Sequence, residues 1–173
     1  MKVLYEGKHI RMARKGHWKF VQRVGVTGLV TLVPVTPEEK IVLVEQYRPP
    51  VDRPVIELPA GLAGDAGDED ESMASAAGRE LVEETGYRAG RLQWLTRATV
   101  SPGLGDEIVD VYLAADLEKT GPGGGDEAES IVVHEVPLRE IDHWLDTAPE
   151  RGLLVDLKVQ MGLYYLRRAG WSW

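Results

Sequence analysis

Three glutamates crowd into five positions of this chain, Glu80, Glu83 and Glu84, inside a stretch that reads as helix. No other feature restricts the fold and its use so tightly. Residues 72–85 offer Ser72 as N-cap, and Ala74, Ala76, Ala77, Leu81 and Val82 as helix-forming or apolar positions. Gly86 stands where a helix stop belongs. Glu80 and Glu84 fall one turn apart on one face, with Glu83 beside them, and like charges at that spacing cost roughly 0.2–0.5 kcal/mol even in solvent. Two readings follow. The ridge is a solvated acidic face, or it holds a cation. Hard oxygen ligands with no histidine or cysteine beside them select Mg2+, with Mn2+ as possible substitute, over Zn2+.

Ahead of the helix lie a tight Pro59-Ala60-Gly61 turn and an acidic, glycine-containing run over 65–71. The order is PAG, Glu71, seven residues, Arg79-Glu80-Leu81, one residue, Glu83-Glu84, one residue, Gly86-Tyr87. This resembles the box of the Nudix hydrolases, G-x5-E-x7-R-E-U-x-E-E-x-G-U with U a bulky apolar residue. The spacing is complete from Glu71 to Gly86. Two departures stand out. Gly61 lies ten positions before Glu71 instead of six, which puts extra residues in a loop, where insertion is cheap. The final apolar position is Tyr87.

The 173 residues suffice for one domain with its own core. Zero cysteines exclude disulfides, thiol catalysis and cysteine-bound metal. No signal-like segment and no apolar run of membrane-spanning length is present, so the expectation is a cytoplasmic protein without a membrane partner. The net charge of −8 argues against a nucleic-acid partner. An acidic protein that holds a diphosphate needs metal ions and a few placed arginines.

Residues 1–24 alternate weakly (Val3, Tyr5; Ile10, Met12; Trp18, Phe20) and read as two or three short antiparallel strands. Residues 26–35 and 41–46 are β-branched runs that read as a buried hairpin about the Thr36-Pro37-Glu38-Glu39 turn. A short strand over 55–58 leads into the PAG turn. Strands follow over 92–100 and 108–114, joined by the 101–107 turn. Residues 118–130 form a glycine-rich patch expected to be mobile and lid-like, before a strand over 131–134. Residues 137–147 and 153–169 carry helical spacing and look like packing elements. The Asp65, Asp68, Asp70 run has the wrong spacing for an EF-hand, since Asp70 occupies the required glycine position. The expected fold class is α/β, a mixed sheet between helices.

The resemblance implies more. It covers roughly residues 25–170 and makes the fold a Nudix α/β/α sandwich with mixed β-sheet and a short N-terminal antiparallel β extension, divided as 1–24 (extension, dimer contact) and 25–173 (hydrolase domain). QYRPP, ELPAG and the SPG…DE phrase resemble the ADP-ribose pyrophosphatase and NDP-sugar hydrolase branch. There Arg48 and Glu57 would contact substrate, and Trp18 and Phe20 would serve a homodimer partner's pocket, or else be plain core. Glu80 and Glu84 would be metal ligands, with the Ala60 carbonyl a further one. Arg79 would pair with Glu71 and orient the helix, and Glu83 would be a ligand or hold metal-bound water. Glu127 would act as general base and Glu129 would join the metal site, with Glu83 the alternative base. The implied reaction cleaves the pyrophosphate bond of a nucleoside diphosphate linked to X: ADP-ribose to AMP and ribose 5-phosphate, or an NDP-sugar such as GDP-mannose. A non-catalytic nucleotide sensor is the alternative of another class.

Overall fold

The computed structural model describes residues 1–65, 67–68, 70–125 and 130–173. Three strands, β1 (Lys2–Glu6), β2 (Ile10–Lys15) and β3 (Trp18–Arg23), pair antiparallel in sequence order as the alternation predicts. Two four-stranded sheets follow. One orders β7 (Ala60–Ala63), β4 (Gly28–Pro34), β9 (Ile108–Lys119) and β8 (Tyr87–Thr99), with β4 and β9 parallel. The other orders β10 (Ile131–Pro137), β5 (Lys40–Arg48), β6 (Arg53–Glu57) and β11 (Leu154–Val155), with β6 and β11 parallel.

Helix α1 (Met73–Thr85) lies on one side of these sheets, and α2 (Ile141–Asp146) and α3 (Leu157–Arg168) on the other. Strand alternation sets the layers. In β4, Val30 and Leu32 face the cluster containing Ala76, Ala77 and Leu81 of α1. Val33 faces the cluster containing Ile141, Leu145, Val159 and Leu163. Val42 and Ile41 of β5 divide the same way. Both sheets therefore share one β layer, and the architecture is an α/β/α sandwich with mixed sheets.

The expected hairpin over 26–46 does not form. Its strands share a single bridge, Val35 with Ile41, and then part into different sheets. Both edges of β4 are taken, by β7 and by β9, so β5 has no edge to join. The chain crosses between the sheets again at Leu58-Pro59, where β6 ends and β7 begins. The PAG turn is thus a crossover that delivers Ala60 and Gly61 to the side of α1.

Two helices are shorter than their spacing suggests. The C-terminal one begins at Leu157 because the Asp156 side chain accepts the Lys158 N–H at 2.6 Å, and Leu154–Val155 ahead of it pair with β6. A 3-10 turn, Leu138–Glu140, precedes α2. Strands β8 and β9 run longer than expected, paired from Tyr87–Lys119 to Thr99–Ile108. Within the glycine-rich patch the described residues are docked, not loose: Gly124 N donates to Glu84 O at 2.8 Å and Gly125 N to Glu83 O at 3.1 Å. Among the described residues no helix is long and apolar enough to cross a membrane.

Candidate active site

The termini of α1 fall where the local chemistry sets them. Ser72 Oγ accepts the Ser75 N–H at 3.1 Å, and Gly86 closes the helix in the left-handed region at φ 70°. One face buries Ala76, Ala77 and Leu81. The same side of the helix buries Glu80 and Glu84, which are 9% and 5% exposed. The second burial is unusual, since carboxylates avoid the interior unless partnered.

β7 covers that face. A Cβ added at Gly61 would lie 1.9 Å from Glu80 Cδ and 2.1 Å from its Oε1, so only glycine lets the strand come this close. Ala60 N donates to Glu84 Oε2 at 3.1 Å. Burial is the main cause that pushes the Glu80 carboxyl up to about 7, against the pull of the adjacent Arg79.

Arg79 organises the remaining acids. Its Nε and Nη2 donate to the two oxygens of Glu71 at 3.0 and 3.2 Å, as the box resemblance implies. Nη1 bridges Glu80 at 2.9 Å and Glu83 at 3.0 Å, and Nη2 also reaches Leu62 O at 2.8 Å and Asp65 at 3.3 Å. The Arg79 hydrogen bonds, joined by the Gly64 N–H at 3.1 Å, hold the Glu71 carboxyl below the usual carboxylate range.

These groups open onto a cleft of about 530 Å³, within the range that small-molecule sites occupy. Glu80, Glu83, Glu84, Arg79, Ala60 and Gly61 form one wall, and Arg48 and Glu57 stand in the same cleft. Arg48 grips Glu57 through two nitrogens, the Nη2 contact at 3.0 Å, and Glu57 is 5% exposed. Glu57 thereby aims the guanidinium that the resemblance assigns to substrate.

Other expected residues lie elsewhere. Glu71 stands behind Arg79 and does not line the cleft. Trp18 and Phe20, on β3, do not line this chain's cleft either, and Trp18 is 52% exposed. Glu127 and Glu129 lie outside the described residues. The cleft also gathers residues to which the sequence assigned no role at the site: Asp65, Gln46, Arg23 and Lys158. Arg23 arrives because β3 docks on the 101–107 turn, with Val21 N donating to Leu104 O at 2.8 Å and Arg23 Nε to Glu107 at 2.7 Å. No local pattern announces such a contact.

The donor set fits a hard divalent cation: carboxylate oxygens and a backbone turn, with no histidine lining the cleft. Burial raises the Glu80 carboxyl, and a bound cation would favour its ionised form. Among the described residues no group of three or more such side chains stands ready at metal-ligating spacing. Arg79 Nη1 holds Glu80 Oε1, and the Ala60 N–H holds Glu84 Oε2.

Comparison with known proteins supports the family resemblance. A family profile described as NUDIX domain matches residues 26–157. The chain is 36% identical over 141 residues to a methanol dehydrogenase activator of Bacillus methanolicus, covering 81% of this chain and 72% of that one. It is 43% identical over 114 residues to an ADP-ribose pyrophosphatase of Bacillus subtilis, covering 65% of this chain and 60% of that protein's length. A crystal structure of an ADP compounds hydrolase superposes with a TM-score of 0.71 at 20% identity, over 96% of this chain and 89% of that one, and so shares the fold. Hydrolases of this family generally work with a divalent metal ion. With its acid helix intact and set in a cleft against the PAG turn, the chain belongs to the Nudix family and is a pyrophosphohydrolase.

Proposed function

We propose that the chain hydrolyses the pyrophosphate bond of a nucleoside diphosphate linked to X, with ADP-ribose, cleaved to AMP and ribose 5-phosphate, as the preferred substrate and Mg2+ as the cofactor. The observation that carries this reading is the pair Glu80 and Glu84, buried against Ala60 and Gly61 in the cleft that also holds Arg48. The likeness to an ADP-ribose pyrophosphatase supports the substrate.

Glu80 and Glu84, with the Ala60 carbonyl, would hold the cation, and Glu83, the most exposed of the three acids, would ligate it or hold a water. Bound there, Mg2+ supplies charge neutralisation of the diphosphate and a more acidic water. Arg48, held by Glu57, orients the diphosphate through its planar fork. Arg79 keeps the acids in place from within the same wall. Glu127 takes the proton from water and Glu129 adds a ligand. Trp18 and Phe20 serve the partner's cleft of a cytoplasmic homodimer without a nucleic-acid partner. In that dimer residues 1–24 form the contact, a role supported by the exposed Val3, Tyr5, Ile10 and Met12.

The test is a panel of ADP-ribose, GDP-mannose, UDP-glucose and NADH, assayed for phosphatase-sensitive monophosphate with Mg2+ and with chelator. Mg2+-dependent release, highest on ADP-ribose, is expected. A preference for GDP-mannose would move the substrate to NDP-sugars, and binding without turnover would make the chain a sensor.

A further inference from the structure

A helix leaves its last carbonyls without intrahelical partners, and their partial negative charge collects at that end. In α1 that end also carries Glu83 and Glu84, whose ionised carboxylates would add to that charge. None of the carbonyls is bare. Val82 O accepts from the Gly86 N–H of the cap. Gly125 N donates to Glu83 O at 3.1 Å and Gly124 N to Glu84 O at 2.8 Å. Lys119 Nζ donates to Thr85 O at 3.1 Å. Thr120 N, Gly121 N and Thr120 Oγ1 converge on Gly86 O at 2.8, 3.1 and 3.1 Å.

The contact is backbone on backbone. A Cβ at Gly123 would lie 2.4 Å from Thr85 C and 2.7 Å from Glu84 O, and one at Gly86 would lie 2.1 Å from Gly121 O. Gly123, Gly124 and Gly125 hold φ of 70°, 113° and 78°, a region that side chains rarely allow. A glycine run that loosely covered the site would need neither these angles nor this approach. The segment matches the end of one helix, and two of the carbonyls it binds belong to the acids themselves.

We propose that residues 119–125 are a positioning clamp for the metal ridge: by binding the main-chain carbonyls of Glu83, Glu84, Thr85 and Gly86, they set where the carboxylates stand, and cation affinity depends on them. The proposal rests on the metal reading of that ridge. The donors also offset the negative end of the helix, which lets ionised acids crowd there.

The experiment compares wild type, Gly123→Ala, Gly121→Ala and Thr120→Val as full chains. Mn2+ binding is measured by calorimetry without substrate, and thermal unfolding alongside. Gly121 has nothing within 4 Å of an added Cβ and no positive φ, so its alanine variant is the control. Gly123→Ala is expected to weaken Mn2+ binding about 10-fold or more, as loss of groups that orient metal ligands does, while Gly121→Ala matches wild type. Should Gly123→Ala not fold, Thr120→Val removes only the hydroxyl donor to Gly86 O and is expected to weaken Mn2+ binding by a smaller, measurable factor. Folded variants with lower Tm but unchanged Mn2+ affinity would overturn the clamp and leave a merely structural contact. A wild-type chain that binds no Mn2+ would overturn it too, and would locate the failure in the metal reading.

Discussion

Arg79 and Glu71 share two hydrogen bonds, at 3.0 and 3.2 Å, and the same guanidinium reaches Glu80 and Glu83 with its remaining nitrogen. One planar cation thus sets the spacing of three carboxylates. Lysine has the charge but not the fork. Arg79→Lys is expected to lower stability by about 1.5–3 kcal/mol, the range for hydrogen bonds to charged groups. The loss should show in urea denaturation, with turnover falling further than the unfolded fraction explains. An unchanged midpoint would remove Arg79 from the centre of the network.

Gly61→Ala tests the contact between β7 and α1. The added methyl must displace the Glu80 carboxylate, because Glu80 Cδ would lie 1.9 Å away. Turnover should drop at least about 100-fold, as misplacement of a reacting group by about 1 Å can cost that much. Circular dichroism should remain that of the folded chain. Activity near wild type would mean that Glu80 works from another position.

Glu84→Gln keeps shape and loses charge. The expected result is a fall in turnover by orders of magnitude with the fold intact, and weaker Mg2+ activation. Near-normal activity would remove Glu84 from the metal site.

For Glu127→Gln the expectation is different in kind. Turnover should fall more than substrate binding weakens, since a base acts on the chemical step. Activity that barely changes would shift the base to Glu83.

Asp110 supplies a pH prediction away from the cleft. It is 4% exposed and accepts from Arg97 Nε at 3.0 Å, Arg97 Nη2 at 2.7 Å and Trp94 Nε1 at 2.9 Å. The Arg97 hydrogen bonds hold its carboxyl below the ordinary value of 3.8, with Trp94 helping and burial opposing. Because the folded form favours the ionised group, the associated stability is present above 3.8 and is lost as pH falls through the depressed value. Asp110→Asn should therefore destabilise at pH 6 by roughly 1 kcal/mol, the scale of a net hydrogen bond, and by less at pH 3. Equal losses at both pH values would contradict the assignment.

What could be read along the chain was what is local. Ser72 and Gly86 specify the ends of α1, the box resemblance over residues 71–86 implies the Glu71–Arg79 pair, and the structure places them as read. Strand partners are chosen over long distances, so Val35 and Ile41 look like hairpin neighbours although β4 has both edges filled by others. Arg23 and Lys158 reach the cleft through the packing of separate elements, and nothing beside them in sequence announces it. Tyr87, an odd residue for its place in the box, makes sense only in three dimensions. Its hydroxyl donates to Glu135 on β10 at 2.6 Å, and Lys119 lies 4.2 Å above its ring. An aliphatic residue there could not tie the helix end to the neighbouring sheet.

The missing side chain at position 61 also bears on how a lineage of such enzymes loses catalysis. Duplicated copies are commonly judged alive or dead by whether their acids survive. Here a single methyl at a residue that never ionises would unseat Glu80 while every carboxylate remained written in the gene. Silent copies of this fold are therefore to be sought at the strand that faces the acids as much as among the acids themselves.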